Sequence, residues 1–184
     1  MLTLNESEML SLWLLKRYGA ELRDDCNVSR VMGIDLKKIA KTEMEVWYAN
    51  LLMTADPDLL MNADLSAEVA LQPAGENALR VYLPSSFRRL LDVEVAGWNA
   101  PARIVTDPAD PELRRMANPF AAPDVYRPLC LLEHNRLTLY GRDGVSAYPT
   151  LTRLFCVVAP PEGTYVFDAS LISTIPELTD FPTL

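Results

Sequence analysis

The side chains best suited to catalysis in this sequence are His134 and the three cysteines, Cys26, Cys130 and Cys156. His134 is the only histidine, so any imidazole base would have to be this residue. Cys130 stands four residues before it, and in a strand that spacing separates the two by about 13 Å, at roughly 3.3 Å per residue. A nucleophile and its base need direct hydrogen-bond contact. We therefore predict buried, reduced thiols and no catalytic pair.

Metal-binding and phosphate-binding patterns are also missing from the sequence. Asp107, Asp110 and Glu112 form a short acidic run, but it lacks the ligand spacing and the central glycine of a calcium-binding loop. Helix capping is the better explanation for Asp110 and Glu112. The sequence contains no GxGxxG, GxxxxGKS/T or GxSxG motif. We therefore predict no catalytic residue, no bound cofactor and no metal site.

Two pairs of side chains are candidates for contacts with a partner protein. Arg88 and Arg89 follow a proline corner and, with Arg80 and Arg103 nearby in the predicted meander, could line a positive edge, although arginines also simply solvate a half-exposed sheet. Phe120 and Tyr126 lie in the loop over 119–128, which is too rich in proline to bury them within its own structure. Aromatic residues in such a position act as interface anchors, and packing against the rest of the chain is the alternative.

The charge balance argues against tight nucleic-acid binding. The chain has 17 basic and 25 acidic residues, a formal net charge of −8, whereas neutralising phosphate requires clustered lysine and arginine. The N-terminal apolar residues are interrupted by Asn5, Glu6, Glu8 and Lys16, which is unlike a signal peptide. No apolar run approaches the roughly 20 residues that span a bilayer, so we expect a protein without a membrane segment.

Hydrophobic periodicity predicts two N-terminal helices. Asn5 and Glu8 have the spacing of a capping box, which predicts a helix over about 6–22. A second helix is predicted over about 35–55, because apolar residues recur there at steps of three and four and Pro57 follows as a stop. These apolar residues are Leu36, Ala40, Met44, Trp47, Tyr48, Leu51 and Leu52.

The pattern changes after residue 67 to the two-residue alternation of strands. AEVALQ is the first predicted strand, and RVYLPSSFRRLLDVEVAGW reads as two strands joined at Pro84, with Leu91, Val93 and Val95 facing the core. A short helix is predicted to begin at Asp110. The predicted later strands are a hairpin over 129–133 and 136–140, a strand over 154–159 and a YVF strand after Thr164.

These patterns predict an α+β fold. The two N-terminal helices would pack with an antiparallel β-meander over about 67–159 that contains the short inserted helix. The chain would divide into a helical region, 1–60, and a β-rich region, 61–184, which together form one cooperative domain.

Four stretches of the sequence resemble one family. In order they are WYANLLMTADPDLL, VYLPSSFRRLLDVEVAGW, DPADPELRRMANPF and YRPLCLLEHNRLTLYG. This order is similar to that of the head-to-tail adaptor, or connector, ring proteins of podovirus-like and crAss-like phages and related prophages of Bacteroidetes. The residues that carry the resemblance are Leu83, Pro84, Phe87, Arg89, Leu90, Trp98, Pro111, Glu112, Pro119, Arg127 and Pro128.

The resemblance implies a non-enzymatic virion protein that forms a homo-oligomeric ring below the portal. Its partners would be portal and tail proteins, its location the virion and, during assembly, the host cytoplasm, and it could be a monomer before assembly. An alternative is a cytoplasmic, acidic interaction module of a gut bacterium, such as an immunity or regulatory protein that binds one basic partner. A small hydrolase is a third hypothesis, which requires His134 to contact a serine, a cysteine or a carboxylate.

Overall fold

The computed structural model describes residues 1–19, 36–75, 77–114, 118, 122–141 and 149–177. These residues combine helices with mostly antiparallel strands, which confirms the α+β class. They divide into two compact units. The helical unit joins Met1–Met61 to the segment from Ala159 onward, and the β unit is Asn62–Val158.

The helices and strands follow one another along the chain as numbered here. The helices are α1 (Glu6–Tyr18), α2 (Leu36–Thr54) and α3 (Pro111–Arg114), with 3₁₀ turns at Pro57–Leu59 and Ala169–Thr174. The strands are β1 (Leu2–Asn5), β2 (Asn62–Asp64), β3 (Gln72–Pro73), β4 (Ala78–Tyr82), β5 (Phe87–Val95), β6 (Arg103–Val105), β7 (Leu129–Glu133), β8 (Arg136–Tyr140), β9 (Leu151–Val158) and β10 (Thr164–Phe167).

Helix α1 begins at the predicted capping box. The Glu8 N–H donates to Asn5 Oδ1 at 3.0 Å, and the Asn5 N–H donates to Glu8 Oε2 at 2.9 Å. These bonds satisfy two of the N–H groups that a helix start leaves without partners. The helix ends at Tyr18 rather than near residue 22, and Gly19 follows it with φ +78°.

An aromatic cluster forms the core of the helical unit. Phe167 is fully buried, and its ring centroid lies 5.7 Å from that of Trp47 and 6.0 Å from that of Tyr48. Trp13 of α1 joins the cluster at 5.8 Å from Trp47. The Tyr48 hydroxyl accepts the Val166 N–H at 3.0 Å and donates to the Val166 carbonyl at 3.2 Å. Most of the apolar stripe of α2 is therefore buried, as the sequence predicts: Ala40, Met44, Tyr48, Leu51 and Leu52 are buried, and Trp47 is half-buried.

Strand β10 pairs with β1, at the opposite end of the chain. The pairing is antiparallel and sets Leu2 opposite Phe167 and Asn5 opposite Thr164. The sequence predicts the YVF strand but assigns it to the β-rich region 61–184, whereas this pairing joins it to the helical unit. Strand β1 was not predicted, because its few residues run directly into the capping box and are too short to show alternation.

The β unit contains two sheets. One has the strand order β3-β4-β8-β7-β6, and the other has the order β2-β9-β5. All pairs are antiparallel except β6 with β7. The strands therefore do not pair in simple consecutive order, as a meander would. At the Pro84 corner the chain leaves the first sheet after β4 and enters the second as β5, which suits a residue that has no N–H for a ladder.

Strand β5 is bulged, and the bulge changes which side chains reach the core. The pairing with β9 shifts between Leu90 and Asp92. Because an inserted residue interrupts the alternation, Leu90 and Val93 are both buried while Leu91 between them is half-buried. The placement of Leu91 in the core is therefore wrong, whereas Val93 and Val95 are buried as predicted.

The predicted strand AEVALQ is mostly a turn. Asp64 Oδ1 accepts the Ser66 N–H at 2.9 Å, and the Glu68 N–H donates to the Leu65 carbonyl at 3.0 Å. Only Gln72–Pro73 pairs as a strand, with β4. A side chain that bonds its own backbone competes with strand pairing, and here the local bond prevails over the alternation.

Asp64 should make the fold sensitive to acid. Its Oδ1 also accepts the Leu154 N–H at 3.0 Å, and the hydrogen bonds from Ser66 and then Leu154 lower the pKa of this carboxyl below its usual range. A carboxyl with a lowered pKa stabilises the folded state above its unfolded pKa of about 3.9 and loses this effect as pH falls through the folded value. We expect Asp64→Asn to lower the free energy of unfolding by about 1 kcal/mol at neutral pH.

Urea unfolding at a series of pH values measures this effect. The difference between the native chain and Asp64→Asn should shrink below about pH 4 and disappear once the native carboxyl is protonated. Glu68→Gln, on the exposed turn beside it, removes the same charge and serves as the control. A difference that stays constant from neutral to acidic pH would show that the charge of Asp64 is not what stabilises the turn.

Local signals placed the β7–β8 hairpin and the start of α3 correctly. Strands β7 and β8 form the predicted hairpin, with Glu133 opposite Arg136. His134 occupies the turn with φ +55°, in the left-handed region that histidine enters more readily than most residues. The Asp110 side chain accepts a backbone N–H at 2.8 Å where α3 begins. Helix α3 covers Pro111–Arg114, and the rest of the two turns expected lies outside the described residues.

Candidate protein-binding site

Tyr126 is the most exposed large hydrophobic residue among those described, with 68% of its surface accessible. It lies in the loop between α3 and β7, and the carboxylate of Asp124 holds this loop. Asp124 Oδ1 accepts the N–H groups of Tyr126 and Arg127, both at 2.9 Å, while Oδ2 forms an ion pair with the Arg127 guanidinium at 3.2 Å. The bond from Tyr126, followed by that from Arg127, lowers the pKa of the Asp124 carboxyl. The Tyr126 side chain thus extends from a turn whose backbone is held by the hydrogen bonds to Asp124.

Backbone contacts from other parts of the β unit fix the same loop. The Asn99 N–H donates to the Val125 carbonyl at 2.7 Å, and the Asn77 side chain donates to the Pro123 carbonyl at 3.1 Å. Gly141, at the end of β8, approaches the Asp124 carbonyl so closely that a Cβ would lie 2.7 Å from its oxygen. The loop therefore has partners on both sides, which is unusual for a segment with three prolines.

Trp98, the last residue of RVYLPSSFRRLLDVEVAGW, lies in the turn after β5 and helps to hold the Tyr126 loop in place. Its indole N–H donates to the Gly141 carbonyl at 3.0 Å. The adjacent residue, Asn99, makes the bond to Val125. The turn after β5 thus contacts both the Tyr126 loop and Gly141, the residue at the end of β8 that the loop approaches closely. Trp98 therefore acts as a positioning residue for Tyr126.

A groove of about 340 Å³ lies beside Tyr126. Its charged side chains are paired: Arg103 lies 3.1 Å from Glu112 and 3.8 Å from Asp110. Arg103 itself is 60% exposed. The groove thus combines an apolar floor with fixed charges at its margin, a composition typical of protein-binding sites. The full lining is Pro101, Arg103, Glu112, Ala122, Pro123, Tyr126, Arg127, Pro128 and Leu129.

The other predicted partner-binding residues do not join this groove. Arg88 is exposed on β5, where its guanidinium donates to the carbonyls of Ser85 and Phe87, both at 2.7 Å. Arg89 is half-buried on the same strand, opposite Val157. Phe120 lies outside the described residues. The role of these three residues in partner binding stays a prediction, and the two arginines belong to the other sheet from the strands that support Tyr126.

Sequence reasoning found Tyr126 but missed its surroundings. The Asp-Val-Tyr sequence does contain a usable signal, because an aspartate two residues before another residue often accepts its N–H in a turn. The sequence contains no comparable signal that Arg103 lies near Tyr126. This arginine reaches the groove only because β6 pairs in parallel with β7, with Arg103 opposite Leu129, and no local pattern predicts that pairing.

The groups that could support catalysis are not assembled in the described part of the chain. Cys130 and Cys156 are free and buried, and burial raises the pKa of each thiol to about 12. Such thiols are protonated at neutral pH and are poor nucleophiles. The His134 side chain is exposed and makes no hydrogen bond with a described residue. Cys26 lies outside the described residues. Over those ranges, three histidine, cysteine, aspartate or glutamate side chains never cluster in a way that could hold a metal ion.

No protein-family model matches the chain, and a search of curated proteins returns no significant match. None of the helices that the structure describes has the length and apolar character needed to cross a membrane. The geometry around Tyr126 is therefore the main basis for a functional proposal.

Proposed function

We propose that this chain is a non-enzymatic structural protein that works through protein contacts, with the Tyr126 groove as a contact site. The observation that carries the proposal is the exposed aromatic ring on a loop whose backbone is fixed by hydrogen bonds. Holding a large apolar side chain in water gives the isolated fold no stability. The same arrangement favours association, because a rigid anchor loses little conformational entropy when a partner covers it.

The particular role we propose is that of a head-to-tail connector, assembled as a homo-oligomeric ring below a phage portal. Two residues that carry the resemblance to this family, Trp98 and Arg127, both hold the Tyr126 loop in place. A third, Pro128, lines the groove. These three positions thus lie together at one surface, as expected if the family uses it to bind a neighbouring subunit, the portal or a tail protein. The shared positions from Leu83 to Leu90 lie elsewhere, at the Pro84 corner and on β5.

Gene context offers a direct test of the connector role. Genes for a portal, a terminase and a major capsid protein should lie beside the gene for this chain. An adjacent toxin gene without those neighbours would instead support the immunity-type alternative, in which the acidic surface of this chain binds one basic partner. That outcome would rule out the connector role, but the Tyr126 groove would remain the proposed contact site.

Tyr126→Ala should abolish most of the binding to the neighbouring portal protein. Loss of a central aromatic anchor costs about 2 kcal/mol or more, which corresponds to at least a roughly 30-fold weaker Kd. Sedimentation velocity of the mixed proteins measures the affinity, and negative-stain microscopy measures ring formation. The melting temperature should not change, because the side chain is exposed.

Tyr126→Phe is the matched control for this substitution. It keeps the ring and removes only the hydroxyl, so most of the affinity should remain. If Tyr126→Ala binds the portal protein and forms rings as the native chain does, the groove is not the contact site.

A further inference from the structure

The outer face of the five-stranded sheet carries a second group of polar and aromatic side chains. Residues directly opposite each other in a ladder point to the same face. The register therefore sets Arg80 beside Thr138 and Tyr82 beside Arg136, on the same face as Tyr140. We call the part of this face over β3, β4 and β8 the arginine face; its members are Gln72, Arg80, Tyr82, Arg136, Thr138 and Tyr140.

In the described part of the chain, helix α3 packs on the other half of this sheet face, over β6 and β7. Leu113 packs against a buried cluster formed by Val105 of β6 with Leu129 and Leu131 of β7. Over β4 and β8 the face is polar, and Tyr82 is 50% exposed. Thr138 is nevertheless almost fully buried.

The arginine face has two arginines, and only one of them forms an ion pair with a described residue. Arg136 pairs with Glu133. The Arg80 side chain makes no ion pair or hydrogen bond with any described residue, and its Nε is buried without a partner. The Nε of Arg136 is buried without a partner as well. A buried guanidinium nitrogen without an acceptor is costly, and an anion placed over Arg80 would remove this cost.

The spacing of the two arginines indicates what kind of anion fits. Arg80 and Arg136 are diagonal neighbours across the β4–β8 ladder, a relation that separates Cα atoms by about 7–8 Å. Alternate residues of an extended peptide are about 6.6 Å apart and point the same way. Two carboxylates at positions i and i+2 of an extended segment can therefore reach the two guanidinium groups together, and the phenol of Tyr82 can donate to one of them.

We propose that the arginine face binds an extended acidic segment of a partner protein, with Asp or Glu at alternate positions. Charge complementarity identifies this occupant: the face is locally positive on a chain whose net charge is −8. A nucleic acid would have to bring many phosphates close to that acidic chain, whereas a short segment brings only the carboxylates that the arginines need. The site is separate from the Tyr126 groove and does not depend on the connector assignment.

Fluorescence anisotropy with labelled peptides tests this inference. The probes are an extended peptide with Glu at alternate positions, the same peptide with the glutamates moved to adjacent positions, and an oligothymidylate. The alternating peptide should bind best, and its affinity should fall as salt is raised. Arg80→Gln should weaken it about tenfold or more, because a charge-assisted hydrogen bond pair is lost.

Two further variants test whether the loss of peptide affinity is specific to the arginine face. Arg136→Gln should also weaken the alternating peptide, but less than Arg80→Gln, because Arg136 is already paired with Glu133. Arg153→Gln removes an equal charge from β9, where Arg153 pairs with Asp92, and should change the affinity less than about twofold. Unchanged binding in Arg80→Gln, equal losses in Arg153→Gln, or stronger binding of the oligothymidylate would each overturn the proposal.

Discussion

Replacing Phe167 with alanine is expected to lower the free energy of unfolding of the helical unit by about 3–5 kcal/mol. The ring is fully buried between the side chains of Trp47 and Tyr48. Its removal exchanges apolar contact for a cavity and also removes an edge-to-face aromatic pair. Because small domains have only about 5–15 kcal/mol of stability in total, the variant should be close to the limit of folding.

Urea unfolding followed by tryptophan fluorescence is suited to this prediction, because Trp13 and Trp47 belong to the same aromatic cluster. Val166→Ala is the matched control. Val166 precedes Phe167 on β10, is half-buried, and contacts the Tyr48 hydroxyl only through its backbone, so its truncation should cost about 1 kcal/mol or less. Equal effects of the two substitutions would show that the aromatic cluster is not the core of this unit.

The sequence predicts most where a single local interaction decides the structure. The capping box at Asn5 and Glu8 set the start of α1, and the stripe through Met44 and Tyr48 set the buried face of α2. The β7–β8 hairpin was predicted to the residue because its turn is short. In each case the residues that interact are close in the sequence, so their spacing carries the information.

Pairings between distant strands were beyond what the patterns could predict. Alternation shows that β4 and β5 are strands, but not that one pairs with β8 and the other with β9. Alternation also fails at a bulge, as Leu91 shows, and where a side chain such as Asp64 bonds its own backbone. Both candidate sites depend on long-range pairing. The sequence therefore points to Tyr126 without the rest of its groove, and it groups Arg80 with Arg88 and Arg89 rather than with Arg136.

Gly141→Ala is expected to destabilise the β unit by about 2–4 kcal/mol and to disturb the Tyr126 loop. Gly141 has φ +111°, a conformation that side chains with a Cβ rarely adopt. An added Cβ would also lie 2.7 Å from the Asp124 carbonyl oxygen and 3.2 Å from Pro128 Cα. Both are backbone atoms, so the conflict cannot be relieved by a rotamer change and must move the loop that carries Tyr126.

Gly75→Ala separates the two causes of the expected destabilisation by Gly141→Ala, which are backbone strain and the steric conflict with the loop. Gly75 also lies in the β unit, has φ +125°, and has no described atom within 4 Å of an added Cβ, so its substitution introduces backbone strain alone, about 1–2 kcal/mol. Thermal unfolding measures both variants, and binding to the portal protein, the partner proposed above, is compared at a temperature where each is folded. Gly141→Ala should lose stability and binding together, whereas Gly75→Ala should lose stability alone, because only Gly141 contacts the backbone that positions Tyr126. Equal binding by the two folded variants would mean that the partner does not depend on the fixed position of this loop.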